Sequence, residues 1–142
     1  MPEVRLPDGT DVIASAIADR QPDNRKLDFG LYLDPAWEPE WPAALIEWPD
    51  FGLPSFPDDA HRKIVGAFRR ARAGERVEVG CLGGLGRTGT VLACFAVLCG
   101  LDPAPAVEWV RTGYDRRAIE TAGQEQWVAW FAARMAEGES EG

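Results

Sequence analysis

The chain has 142 residues, 46% of them hydrophobic, and a formal net charge of -8. That length suits one compact domain with a real core, and that composition excludes a disordered chain. The acidic balance excludes non-specific nucleic-acid binding, which rests on Lys and Arg neutralising phosphates; a small phosphorylated substrate stays open, because the field in a pocket is local.

Three cysteines, none in a C-x-x-C pair, and a single His assemble no convincing zinc set, so no metal and no cofactor is expected. A reducing compartment is the simpler reading. Met1-Pro2-Glu3-Val4-Arg5 has no basic start followed by an apolar run, and no stretch approaches the roughly 18 apolar residues that span a bilayer. The expectation is a cytoplasmic monomer without membrane attachment.

Residues 1 to about 28 read as polar and turn-rich, with a short apolar stretch from Val12 to Ile17. Phe29 to Leu33 reads as a strand, ended by Asp34-Pro35. A Pro- and Trp-rich segment (Trp37, Pro39, Trp41, Pro42) leads to Ala43–Trp48, a second buried strand. Pro49-Asp50-Phe51-Gly52-Leu53-Pro54 reads as a loop. Ser55, with Asp58 three residues on, fits a helix start. The helix runs to about Ala73, with Ala60, Ile64, Ala67, Phe68 and Ala71 on one face and Gly74 as its stop.

Arg76–Val79 reads as a strand and Val91–Cys99 as a helix ended by Gly100. Pro103 to about Arg111 is a further helix, closed by Gly113. The last begins at Thr121 and has Trp127, Trp130, Phe131 and Met135 as its apolar face. Residues 137–142 read as a frayed acidic tail. No internal repeat or linker is visible. Together these elements predict one α/β domain: a short central mixed or parallel sheet flanked by helices, with a strand–loop–helix at its centre.

The loop in that strand–loop–helix carries the chemistry. Gly80-Cys81-Leu82-Gly83-Gly84-Leu85-Gly86-Arg87-Thr88-Gly89-Thr90 joins a strand, a Gly-rich turn and a helix N-terminus, which together make a pocket for a phosphate-like anion. Positive potential there favours a Cys81 thiolate. A Walker A loop fails twice, with Cys81 at its first Gly position and Arg87 at its Lys position. A dinucleotide fingerprint matches Gly84 to Gly89, but Asp102 follows a helix where the ribose-binding acid ends a strand. A structural Cys beside an ordinary turn is the bland alternative. Cysteine-dependent phosphate-ester hydrolysis uses every residue: amides from Leu82, Gly83, Gly84, Leu85 and Gly86 meet the equatorial oxygens, and Arg87 adds a bidentate fork. Thr88 can hydrogen-bond the Cys81 sulfur and ease its departure.

Cys81 to Gly89 resembles the signature loop of the protein tyrosine phosphatase superfamily, C-x-x-G-x-G-R-[ST]-G, at each fixed position. The resemblance covers roughly residues 29–131. Trp48-Pro49-Asp50 resembles the family's mobile acid loop, which implies Asp50 as the acid that protonates the leaving oxygen; alone, Asp50 reads as a turn former after Pro. Ile119 to Gln124 resembles the family's glutamine loop. That implies water positioning by Gln124 and a role for Glu120, which stands where the tyrosine-specific enzymes have another glutamine. Thr121-x-x-Gln124 is also a helix capping box, and the two readings compete.

The pattern departs from the family at Gly80, where most members have His. The tyrosine-binding loop of the large enzymes is missing, Asn24-Arg25 being a faint echo, so the chain resembles compact dual-specificity or atypical members. Trp37, Trp41, Phe51 and Arg116 or Arg117 are candidate pocket walls, with packing or solvation as the plainer reading. Cys94 and Cys99 read as small core residues. His61, among charged neighbours at a helix start, reads as a solvated surface residue.

The sequence thus predicts a phosphoric monoester hydrolase, a protein tyrosine phosphatase by resemblance, with Cys81, Arg87, Asp50, Thr88 and Gln124 in its machinery. Its partner is a phosphorylated protein or a small phosphorylated substrate such as a metabolite or phosphoinositide. The other class is a phosphate-recognition module without turnover.

Overall fold

In the computed structural model the described residues are 3–16, 27–33, 41–49, 52–81, 83 and 85–141, the side chains of 137–141 aside. Five strands and four helices are found among them: β1 Glu3–Arg5, β2 Asp11–Ala16, β3 Phe29–Tyr32, β4 Ala43–Leu45, α1 Pro57–Arg72, β5 Val77–Cys81, α2 Gly86–Leu98, α3 Pro103–Gly113 and α4 Ala122–Glu141. The sheet order is β1-β2-β5-β3-β4. β1 is antiparallel to β2, and the other pairings are parallel, so the sheet is mixed.

The strand that delivers Cys81 is central. Val79 is in register with Ala14 on one side and Leu31 on the other, and Cys81 pairs with Ala16. Side chains alternate along β5. Val77, Val79 and Cys81 join the core with Val12, Leu31, Ile64, Phe68, Leu92, Phe95 and Phe131, contributed by α1, α2 and α4 as well as the sheet. The opposite face holds a polar knot. The buried Tyr32 hydroxyl donates to the buried Glu78 carboxylate at 2.6 Å and accepts from Trp41 Nε1 at 2.8 Å. The Tyr32 ring lies where a side chain at position 30 would be, which is why that position is glycine.

Several sequence expectations are corrected. The N-terminal stretch is not merely turn-rich: β1 and β2 occupy one edge and a near-central place in the sheet. Strands this short, with Pro7 and Gly9 between them, leave too little pattern to read. The second strand covers only Ala43–Leu45 of the expected Ala43–Trp48, although Ile46 and Trp48 are buried. Ser55 caps nothing. Phe56 is the N-cap of α1, with Pro57 at the first turn and no side-chain capping bond. α4 runs through to Glu141, so residues 137–141 continue the helix. Gly74 and Gly100 do stop their helices, at φ values of 100° and 111°. Glu75 N–H and Leu101 N–H then reach back to the Arg70 and Ala96 carbonyls, the bond pattern of a Schellman cap. No helix of the described residues is long and apolar enough to cross a membrane.

Candidate active site

Parallel strands place their C-terminal ends together, and here that edge collects three connections: from β5 to α2, from β4 to α1, and from α3 to α4. Cys81 is the last residue of β5 and is 2% exposed. Gly83 and Leu85 follow; Leu82 and Gly84 lie outside the described residues. α2 opens at Gly86 with no side chain capping it, so the first-turn amides carry the helix's positive end. The sequence reading starts this helix at Val91; the structure begins it five residues earlier, at Gly86, putting Arg87 and Thr88 inside the first turn.

Thr88 is fully buried, and its hydroxyl donates to the Cys81 sulfur at 3.0 Å. Arg87 is also buried. Its Nη1 donates to the Leu33 carbonyl at 3.0 Å and the Trp48 carbonyl at 2.8 Å. The arginine therefore ties the end of β3 and the lead of the acid loop to the Cys81 loop. This bracing role is invisible in the motif, because the partners are backbone atoms distant in sequence.

The loop expected to carry the acid is anchored from its own side. The buried Trp48 indole N–H donates to the Gly52 carbonyl at 2.9 Å, and Gly52 N–H donates to the Pro49 carbonyl at 2.9 Å. The Trp48 ring packs against Trp127 of α4 with centroids 5.2 Å apart. Asp50 and Phe51, the expected acid and a candidate wall, lie outside the described residues, as do Trp37 and Asn24-Arg25.

The turn before α4 is held from several sides. Ile119 has φ 60°, the left-handed region that a β-branched residue enters only at a cost on the order of 1–3 kcal/mol. Arg111 holds it there, donating to the Ala118 carbonyl at 3.2 Å and the Ile119 carbonyl at 2.8 Å. Gly89 makes room, since a Cβ on it would run into Ala118 and the Ile119 backbone. The next residue, Glu120, extends its carboxylate over Gly86, where a Cβ would strike it.

Gln124 is fully buried. Its carbonyl oxygen accepts from Glu120 N–H at 2.8 Å, and its amide nitrogen donates to the Gly52 carbonyl at 3.4 Å. Its backbone N–H donates to the Thr121 hydroxyl at 3.1 Å. The capping reading thus describes Gln124 here, with an added link to the acid loop.

Tyr114 has no signal in the sequence, being a lone aromatic at the end of α3. Burial, helped by the nearby charges of Cys81 and Asp115, pushes its phenol up to about 12. It is a neutral hydroxyl within electrostatic reach of Cys81. Trp41 belongs to the Tyr32–Glu78 knot. Arg117 pairs with Asp115 at 3.1 Å, and Arg116 is exposed on the same turn as Glu120.

Two kinds of residue set outside the chemistry by the sequence reading also have defined places. His61 is half-buried between α1 and α4, its ring 4.7 Å from Phe131 and its Nε2 3.1 Å from the Met135 sulfur. The expected solvated role is corrected by that packing. Cys94 is buried in the core, where burial pushes its thiol well up. Cys99 is half-buried near Asp8, and burial pushes it up to about 11. None of the three cysteines is in a disulfide, and among the described residues no group of three or more His, Cys, Asp or Glu could hold a metal. A groove of about 610 Å³ lined by Asp8, Asp11, Arg72 and Arg76 opens at the other end of the sheet, where β2 and β5 begin, away from Cys81.

The arrangement of Cys81, Arg87 and Thr88 about an uncapped helix start, in this sheet, defines a class, and comparisons agree. The model of the PTP-SAK family, described as the DSP-PTPase phosphatase domain of Swiss Army Knife proteins, matches residues 57–133. An uncharacterized protein of Methanocaldococcus jannaschii is 36% identical over 111 residues, spanning 69% of this chain and 71% of its own. Among solved structures, Tk-PTP in its active form is similar at TM-score 0.66 and 26% identity, covering 76% of this chain and 80% of its own. PTPMT1, solved in complex with PI(5)P, shares the fold at TM-score 0.66 and 15% identity, covering 80% of this chain and 81% of its own. The chain belongs to the PTP-SAK family of DSP-PTPase phosphatase domains, and it is a phosphatase of the protein tyrosine phosphatase superfamily.

Proposed function

We propose that the protein hydrolyses phosphotyrosine in polypeptides through a cysteinyl-phosphate on Cys81. The observation that carries this reading is the 3.0 Å hydrogen bond from Thr88 to the Cys81 sulfur at the positive end of α2. In the first step the Cys81 thiolate attacks phosphorus. The loop amides of residues 82–86, Arg87 and the α2 terminus take up the charge of the equatorial oxygens, and Asp50 protonates the departing phenolate. In the second step water attacks the cysteinyl-phosphate. Asp50 takes the water's proton, and the sulfur leaves as a thiolate stabilised by Thr88.

In this reading Glu120, held over Gly86, is a second carboxylate at the pocket mouth that orients the attacking water. Gln124 acts one layer back, fixing Glu120 through its backbone N–H and the acid loop through Gly52. No metal or cofactor enters any step. The single-domain, cytoplasmic reading belongs to the same proposal, since a reducing environment keeps Cys81 competent. The similarity to PTPMT1 makes a phosphoinositide the second substrate class to try. Hydrolysis of p-nitrophenyl phosphate under reducing conditions, by wild type and by Cys81→Ser, tests the reading: turnover by the first alone supports it, and equal rates refute it.

A further inference from the structure

Among the described residues, two large hydrophobic side chains are open to solvent: Leu53, 44% exposed, and Phe56, 63% exposed. Both lie on the segment between the acid loop and α1. That segment sits at the edge of the sheet where Cys81 is delivered. Gly52, next to Leu53, is bonded by Trp48 and Gln124. The Leu53 methyl Cδ2 comes within 3.9 Å of the space beside Gly123, at the start of α4 and close to Glu120. Phe56 occupies the N-cap of α1, a position where Ser, Thr, Asp or Asn would serve the helix better. An apolar ring stands there, in water, at a local cost to the helix.

We propose that Leu53 and Phe56 form an apolar shelf at the mouth of the Cys81 pocket, which holds an apolar side chain flanking the phosphorylated residue of a polypeptide substrate. The inference rests on the reading of the Cys81 loop as the catalytic pocket. Charge argues for a polypeptide over a membrane. The chain carries -8, and Glu47 and Glu120 are exposed at this end, so an anionic bilayer is repelled. Size argues against a second copy of the chain, because two side chains fall far short of the roughly 800 Å² per partner that a standard interface buries. What two side chains can do is grip one neighbour in a bound segment, a contact of the kind that discriminates about tenfold or more between substrates.

The test compares two phosphotyrosine peptides that differ only in Leu or Ser beside the phosphotyrosine. Equilibrium binding is measured with the Cys81→Ser protein, and kcat/KM with the active protein. A Leu53→Ser/Phe56→Ser variant is run alongside after its thermal unfolding is checked; the second substitution puts a hydroxyl at the N-cap of α1, where it favours the helix. The shelf predicts a Leu-over-Ser preference of about tenfold in both measurements, lost in the variant. Equal treatment of the peptides by the unsubstituted shelf, or a preference retained in the variant, overturns it. So does a result in which the double substitution instead abolishes self-association in sedimentation or binding to phosphatidylserine vesicles. If the active protein fails on p-nitrophenyl phosphate, the reading of the pocket falls, and the binding comparison alone still decides the shelf.

Discussion

The Thr88 hydroxyl stands 3.0 Å from the Cys81 sulfur, because the last residue of β5 and the first turn of α2 face each other across the loop. Both residues are buried, so the bond is not shared with bulk water. A hydroxyl aimed at sulfur does most when the sulfur carries charge, as the proposed mechanism requires both at attack and on leaving the cysteinyl-phosphate. Thr88→Val keeps the shape and removes the donor. The expected outcome is a kcat lower by about 10²-fold, in the range seen when one charge-stabilising donor is lost. Pre-steady-state kinetics with p-nitrophenyl phosphate should show a larger burst than wild type gives, as the second step becomes limiting. A variant with wild-type kcat and no larger burst would detach Thr88 from sulfur departure.

Asp50 follows Pro49 in a loop anchored by the bonds between Trp48, Pro49 and Gly52. Asp50→Ala should lower kcat by about 10²-fold or more on a substrate with a poor leaving group, and by less with p-nitrophenolate, whose departure needs little protonation. The acidic-to-basic pH profile should also flatten on the limb set by the acid. Equal losses across leaving groups would assign Asp50 to something other than proton donation.

Two glycines separate kinetic from structural roles. At Gly86 an added Cβ meets first the flexible side chain of Glu120, so Gly86→Ala should push that carboxylate aside and leave unfolding nearly unchanged. Its kcat should fall by the same factor as in Glu120→Ala. At Gly89 the added Cβ meets Ala118 and the Ile119 backbone, neither of which can swing away. Gly89→Ala should cost about 1–3 kcal/mol in denaturant unfolding. Equal stability of the two variants would contradict these roles for the turn.

His61 supplies a pH dependence of stability. Its imidazole is held below its usual value by burial first, then by Arg134 and Arg62, with Asp58 opposing. The folded state therefore binds this proton less readily than the unfolded chain. Stability is full above the unfolded value of about 6.5 and falls as pH drops from there through the lowered folded value. Urea midpoints at pH 8 and pH 5.5 should differ more in wild type than in His61→Phe. The same difference in both proteins would place the titration elsewhere.

The loop from Cys81 to Gly89 is readable in the sequence because each position has one job and the spacing is rigid. The expectation for Asp50 rests on two motifs in combination, since a Pro-Asp turn is common by itself, and Asp50 lies outside the described residues. What escapes the sequence is what depends on distant backbone. Arg87 grips the Leu33 and Trp48 carbonyls, and no side-chain pattern announces a carbonyl. Ile119 at φ 60° looks like any core isoleucine. His61 has charged neighbours in sequence, yet it faces Phe131 and Met135 from another helix. β1 and β2 escape because short strands, one of them buried on both faces, show neither clean alternation nor a long apolar run.

The central claim is that phosphate passes through Cys81. Rapid acid quench of wild-type protein during turnover of p-nitrophenyl phosphate, followed by peptide mass spectrometry, measures it directly. The expected result is one phosphoryl group on the peptide containing Cys81, accumulating further in Thr88→Val and absent in Cys81→Ser. Turnover with no phosphoryl group on Cys81 in either competent protein, or the same turnover by Cys81→Ser, would contradict it.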